Sequence, residues 1–304
     1  MGFLNFGKKK TADRDPDLED LTVEEADYLR RLFAEMWPAS EGTITLHGEY
    51  AQSSSGGQFG LYNLSRAAKA EPRQDWPQVV GRHISGLLSR RSGPAEADLS
   101  DDEILSLVKA RLIASSYLPE SHREAFTYRR TIASGLEAIL MLDLPEAASA
   151  IPDAIVSRFD TDSLWKTAID AVSAEPLDEF AALDVGSGRV LVAMTNSLFT
   201  ASHVLDVPAL LAAAGVMSAP HGVLFAVPSR HEFLIHVVES PGALSVAGEL
   251  AQLAQLRFSK GVGEISPEVF YWSEAGYERV TSTHEGGSVN IDGTGAFFAA
   301  VNGF

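Results

Sequence analysis

The sequence predicts an α+β fold, with mostly antiparallel sheets packed against helices. Three observations carry this. Apolar residues recur at helical spacing through the first half, strand-like runs crowd the last third, and those runs are joined by short turns rather than by one helix per strand. Tight connections suit antiparallel neighbours, whereas parallel strands need long crossovers. The expected layout is a small N-terminal α-β-β-α module, a helical middle and a β-rich C-terminal third. A chain of 304 residues can bury a core in one large domain or in two modest ones.

Taken in order, residues 1–20 read as a disordered tail. Phe3, Leu4 and Phe6 precede Lys8, Lys9 and Lys10, and an acidic run then begins at Asp13, a composition too polar to pack. Thr22 and Glu25 have capping-box spacing and predict a helix that stops at Trp37-Pro38. Two strands, 43–50 and 59–64, are expected around a Ser/Gly loop, followed by a helix over 75–88. The N-terminal module thus covers 21–90. Residues 91–99, with Gly93, Pro94 and no periodicity, read as a linker.

The main α+β domain is expected over 100–282. Ser100 and Glu103 repeat the capping spacing and predict a helix to about Ile113, followed by helices over 122–142 and 162–172. The stretch 176–183 also reads as helical. Strands are predicted at 189–195, 222–227, 233–238, 269–272 and 277–280, with helices at 201–214 and 245–259. Residues 283–304 read equally as a Gly-rich tail or a weak hairpin.

Composition narrows function. Lys and Arg total 24 against 41 Asp and Glu, a net charge of −17, which argues against general nucleic-acid binding. There is no cysteine, which removes disulfides, cysteine zinc sites and thiol nucleophiles. No apolar run reaches the roughly 18 residues of a membrane span, and the start lacks a secretory signal. A cytoplasmic location is the expectation, with no cofactor and no metal.

Several motifs are weaker than they look. Leu183-Asp184-Val185-Gly186-Ser187-Gly188 looks like the glycine loop of a methyltransferase binding S-adenosylmethionine, but a strand-like run follows it where a helix N-terminus is needed. His231-Glu232-Phe233-Leu234-Ile235-His236 nearly matches a metalloprotease helix. Its histidines are five apart in a strand-like run, so they point to opposite faces. The basic stretch from Arg66 to Arg91 reads as a solvated helix face, since nucleic-acid binding would want aromatic platforms alongside it, and His83 reads as a core or boundary histidine within an apolar stripe. Arg230 stands out, in a Pro-anchored turn where a hairpin ordinarily takes Gly or Asn. A guanidinium there can fork onto an anionic partner or make an internal ion pair. His203, His221 and His231 complete the candidate binding set, read either as one cluster at a sheet edge or as local turn and cap residues.

The stretch Pro220-His221-Gly222-Val223-Leu224-Phe225-Ala226-Val227-Pro228-Ser229-Arg230-His231 resembles a segment of the YtpQ-like bacterial proteins. Ser197–His203 and Ser266–Trp272 look like actinobacterial members of that group. The resemblance spans residues 20–282 and implies a cytoplasmic bacterial α+β protein; no catalytic residue or cofactor comes with it. The combined expectation is a non-enzymatic binding or protein-interaction module with a protein partner. Two alternatives stay open: an enzyme acting on a small anionic substrate through Arg230 and the nearby histidines, and weak contact of Phe3, Leu4, Phe6, Lys8, Lys9 and Lys10 with a membrane surface.

Overall fold

The computed structural model describes residues 14–18, 20–48, 50–54, 57–92, 99–118, 120–144, 147–177, 179–186, 188–261, 263–284 and 288–304. The candidate membrane residues Phe3, Leu4, Phe6, Lys8, Lys9 and Lys10 lie outside them. The chain divides into two compact units, Met1–Ser92 and Gly93–Phe304.

In the first unit, helix α1 (Val23–Met36) starts at the predicted capping box, with Thr22 accepting from the Glu25 amide and the Glu25 carboxylate accepting from the Thr22 amide. Three strands follow rather than two, β1 (Ile44–Leu46), β2 (Tyr50–Ser53) and β3 (Gly57–Gly60), in an antiparallel meander. The first half of the expected loop is strand β2, and Tyr62–Lys69, read partly as strand, is helix α2. Helix α3 (Trp76–Ser92) supplies Trp76, Val80 and Ile84 to a core shared with Leu29 and Phe33. It runs through the first two residues of the predicted linker, and 93–98 lie outside the described residues.

The tail expected over 1–20 does not extend past Arg14. Leu18 and Leu21 are fully buried, and Asp15 is only 4 % exposed. The Arg30 guanidinium forks onto both Asp15 carboxylate oxygens, at 2.7 and 2.9 Å, and also donates to the Gly48 carbonyl. A buried carboxylate is tolerable because that fork replaces its water shell.

In the second unit the helical middle is corrected to a sheet. Helix α4 (Asp101–Leu107) begins at the Ser100 capping box but gives way to strand β4 (Val108–Ala114) instead of running to Ile113. After the short helix α5 (Glu120–Arg123), the predicted helix over 122–142 is mostly a hairpin of β5 (Arg130–Ala133) and β6 (Leu136–Leu144). β6 pairs with β4 along one edge and with β5 and β7 (Ala147–Ala150) along the other. Seven of its nine residues are buried, so apolar side chains occupy both faces and the period of two disappears. Helix α6 (Asp153–Val156) and helix α7 (Thr161–Ser173) follow, and Leu164, Trp165 and Ala168 of α7 cover one face of this sheet.

A second, six-stranded antiparallel sheet has the order β13-β12-β10-β11-β9-β8. Its strands are β8 (Ala181–Val185), β9 (Gly188–Met194), β10 (Val223–Ser229), β11 (Glu232–Val237), β12 (Val269–Ser273) and β13 (Gly276–Arg279). The helix expected over 176–183 is therefore extended chain at its end. All seven residues of β10 are buried. Leu224 and Ala226 face helix α9 (Ala243–Phe258), while Val223, Phe225 and Val227 face the 3-10 turn Thr200–Leu205 and helix α8 (Val207–Ala213). The C-terminal segment forms the hairpin of β14 (Thr281–Thr283) and β15 (Val289–Ile291), one of the two readings left open, and then helix α10 (Gly295–Asn302), which the sequence reading missed. The Glu278 carboxylate accepts from the Ala296 and Phe297 amides, and Phe297 is buried against the sheet. The fold is α+β, every pairing is antiparallel among the described residues, and none of the described helices is long and apolar enough to cross a membrane.

Candidate functional site

The residues named from sequence fall at two ends of the central strand pair, separated by roughly 20 Å of β10. Arg230 and His231 form the two-residue turn between Ser229 and Glu232. No described non-glycine residue has a positive φ, so this turn needs neither Gly nor Asn. Pro228 sits where the β10–β11 register shifts, the kind of position at which a strand tolerates a missing N–H. The turn is held from both sides: the Arg230 amide donates to the Gly263 carbonyl, the Ala201 amide to the Arg230 carbonyl, and the Thr195 amide to the His231 carbonyl.

Side chains extend this anchoring. Arg230 Nε donates to His231 Nε2 at 2.9 Å, so His231 Nδ1 must carry the proton it gives to the Ser197 carbonyl, also at 2.9 Å. The Ser197 hydroxyl donates to Glu175, and Glu175 and Asp143 share Lys109 at 2.5 and 2.6 Å. Burial first, then the charges of Arg230 and Arg111, lowers the His231 pKa to about 4. Burial opposes the Lys109 charge, yet its hydrogen bonds to Asp143 and Glu175 hold its pKa above the ordinary value.

This arrangement is poorly suited to acid–base catalysis. His231 is neutral near pH 7 with both ring nitrogens engaged, and the Ser197 hydroxyl faces Glu175 rather than the imidazole.

The expected histidine cluster does not form. His203 is 4 % exposed, its ring 6.2 Å from that of Phe233, and burial lowers its pKa against a smaller opposing effect of Glu175. That makes it a core residue, not a surface binding residue. His221 is at the other end of β10, its ring 4.2 Å from that of Phe304. His236, near the far end of β11, has Nδ1 2.9 Å from the Arg189 carbonyl. Among the described residues no group of three or more His, Cys, Asp or Glu is placed to hold a metal ion. Gly186 and Gly188 lie at the β8–β9 hairpin, where Val185 pairs with Gly188; Gly186 has φ 57°, a Cβ on it would meet the Glu249 carboxylate, and strand β9 begins at Gly188 where a helix N-terminus would be needed.

The His221 end carries a feature the sequence reading passed over, a groove of about 920 Å³. It is lined by α8, through Pro208, Leu211 and Ala212, and by the β12–β13 turn, through Trp272, Glu274 and Ala275. The loop between α8 and β10 completes it with Val216, Met217 and Pro220.

That loop is rigidly set. Gly215 has φ 71°, its amide donates to Ala212, and the Val216 amide donates to Leu211, the paired bonds of a Schellman ending. The ending brings Val216 to the groove wall beside Leu211 and leaves Met217 97 % exposed. At the floor, Gly222 has φ 78°, and a Cβ there would meet the Trp272 carbonyl at 2.4 Å. Tyr271 adds a tie by donating its hydroxyl to the His221 carbonyl at 2.8 Å. The signal for this site was present as Gly215-Val216-Met217, a helix ending followed at once by two apolar residues.

Comparison of the chain with family models, with curated proteins and with solved structures finds no match.

Proposed function

We propose that the second unit is a non-catalytic binding module whose groove takes a polypeptide segment of a protein partner, one with an apolar anchor and a neighbouring Lys or Arg. The observation that supports this most is Met217. A long, adaptable apolar side chain held almost fully in water, on an anchored loop and in a groove that a half-buried Trp also lines, has the character of a binding contact. Charge narrows the occupant. Among the described residues Glu274 is the only charged side chain lining the groove, and the whole chain carries −17, so a basic residue on the partner is favoured. A cytoplasmic bacterial setting, as the YtpQ-like resemblance implies, belongs to the same proposal. Chemistry on a small anion at Arg230 is the weaker reading, because His231 is engaged on both nitrogens.

The test is selection of a displayed random-peptide library on the full chain. Enriched peptides should carry an apolar anchor with a basic neighbour and should lose about tenfold in affinity on Met217→Asp, a loss on the scale of one buried apolar side chain. Enrichment that is the same on wild type and Met217→Asp contradicts the proposal.

A further inference from the structure

We infer that Met217 is an oxidation site through which a hydroperoxide replaces the groove's most exposed apolar contact with a polar one and releases its occupant; this rests on the binding role proposed for the groove. The chain has no cysteine, so its methionines are its only sulfur. Their exposures separate them: Met217 is 97 % exposed, Met194 62 %, Met36 38 % and Met141 2 %. Thioether oxidation follows access, so Met217 is placed to react first among these four. It is also the one of the four that lines the groove.

The step is a two-electron oxygen transfer. A sulfur lone pair of Met217 attacks the hydroxyl oxygen of the peroxide, an S–O bond forms as the O–O bond breaks, and the proton of that oxygen passes to the other, which leaves as water or an alcohol. Sulfur is oxidised to the sulfoxide and the peroxide is reduced. The product is a strong dipole in a groove that Trp272, Pro208 and Leu211 also line, where an apolar anchor would otherwise be seated. The loop need not move, because Met217 points into water and the Gly215 ending lies in the backbone. Methionine sulfoxide reductases reverse the change, so the groove can be reset without new protein.

The experiment treats the full chain with graded hydrogen peroxide, maps each methionine by peptide mass spectrometry, and measures affinity for a fluorescein-labelled peptide taken from the library selection. The expected result has three parts. Met217 oxidises ahead of Met194 and Met36. Affinity falls about tenfold in step with Met217 oxidation and returns with reductase. Met217→Leu keeps its own untreated affinity after peroxide, while Met217→Gln binds like the oxidised protein without treatment. Oxidation of Met194 or Met36 first, or full affinity in protein oxidised at Met217, overturns the inference while leaving the groove's binding role standing. A selection in which no peptide depends on Met217 overturns the binding role and the switch together.

Discussion

Arg230 Nε and His231 Nε2 lie 2.9 Å apart, adjacent residues of one turn with the guanidinium as donor and the imidazole as acceptor. That contact exists only while His231 is neutral, so protonation removes an acceptor and sets two cations side by side. The folded pKa of about 4 lies below the ordinary value of 6.5. Between those two pH values the unfolded chain binds the extra proton. Stability therefore falls as pH drops through this window and levels off below it.

Because His231 is partly exposed, its contribution is discounted for solvent screening to about 1–2 kcal/mol. Denaturant unfolding of wild type and His231→Phe from acidic to neutral pH isolates it. The stability difference between the two should shift with pH across this window, and a constant difference contradicts the account.

Arg230→Ala is expected to destabilise by about 1–2 kcal/mol, beyond the ±0.5 kcal/mol usual for surface changes. The loss comes from the hydrogen bond to His231 and from packing over Gly263, where a Cβ would meet the guanidinium side chain at 2.7 Å. A melting temperature equal to that of wild type would contradict this anchoring role and favour a surface recognition role for Arg230.

Two glycines with similar backbone angles should respond differently. Gly222 and Gly135 have φ 78° and 87°, but a Cβ at Gly222 meets backbone at 2.4 Å, whereas one at Gly135 meets nothing within 4 Å. Gly135→Ala should cost about 1 kcal/mol from backbone strain alone, and Gly222→Ala about 3 kcal/mol or more once the strand must shift. Thermal unfolding orders them; equal losses would mean that the β10–β12 contact yields easily.

In the first unit, Arg30→Met should cost about 3 kcal/mol by leaving the Asp15 carboxylate buried without its partner. Asp15→Leu combined with Arg30→Met should recover much of that loss. Limited proteolysis near Arg14 provides the readout, and a double variant cleaved as fast as Arg30→Met contradicts the account.

What could be read from sequence followed local chemistry. The capping boxes at Thr22 and Ser100 place two helix starts correctly, and Gly276 and the Arg230-His231 turn mark hairpins between short apolar runs. The β5–β6 hairpin escaped because Leu136–Leu144 is apolar on both faces and built of residues that favour helices equally well; Gly135 at its turn was the available clue. The histidines escaped for a different reason. Closeness in sequence placed His203, His221 and His231 together, but β10 carries His221 to the end opposite His231, and the 3-10 turn buries His203. The groove is assembled from α8, its following loop and the β12–β13 turn, more than fifty residues apart, and no short motif announces such a meeting.

The central claim is that Glu274 and Met217 together select an apolar, basic segment, and a charge reversal measured by calorimetry tests it most directly. A selected peptide and its counterpart with Lys and Arg changed to Glu are titrated into wild type and into Glu274→Lys. Wild type should bind the basic peptide about fivefold tighter, and Glu274→Lys should reverse that order while keeping its dependence on Met217, since one rim ion pair is worth about 1 kcal/mol. The same preference in both proteins would show that the groove does not read charge through Glu274, and would contradict the account.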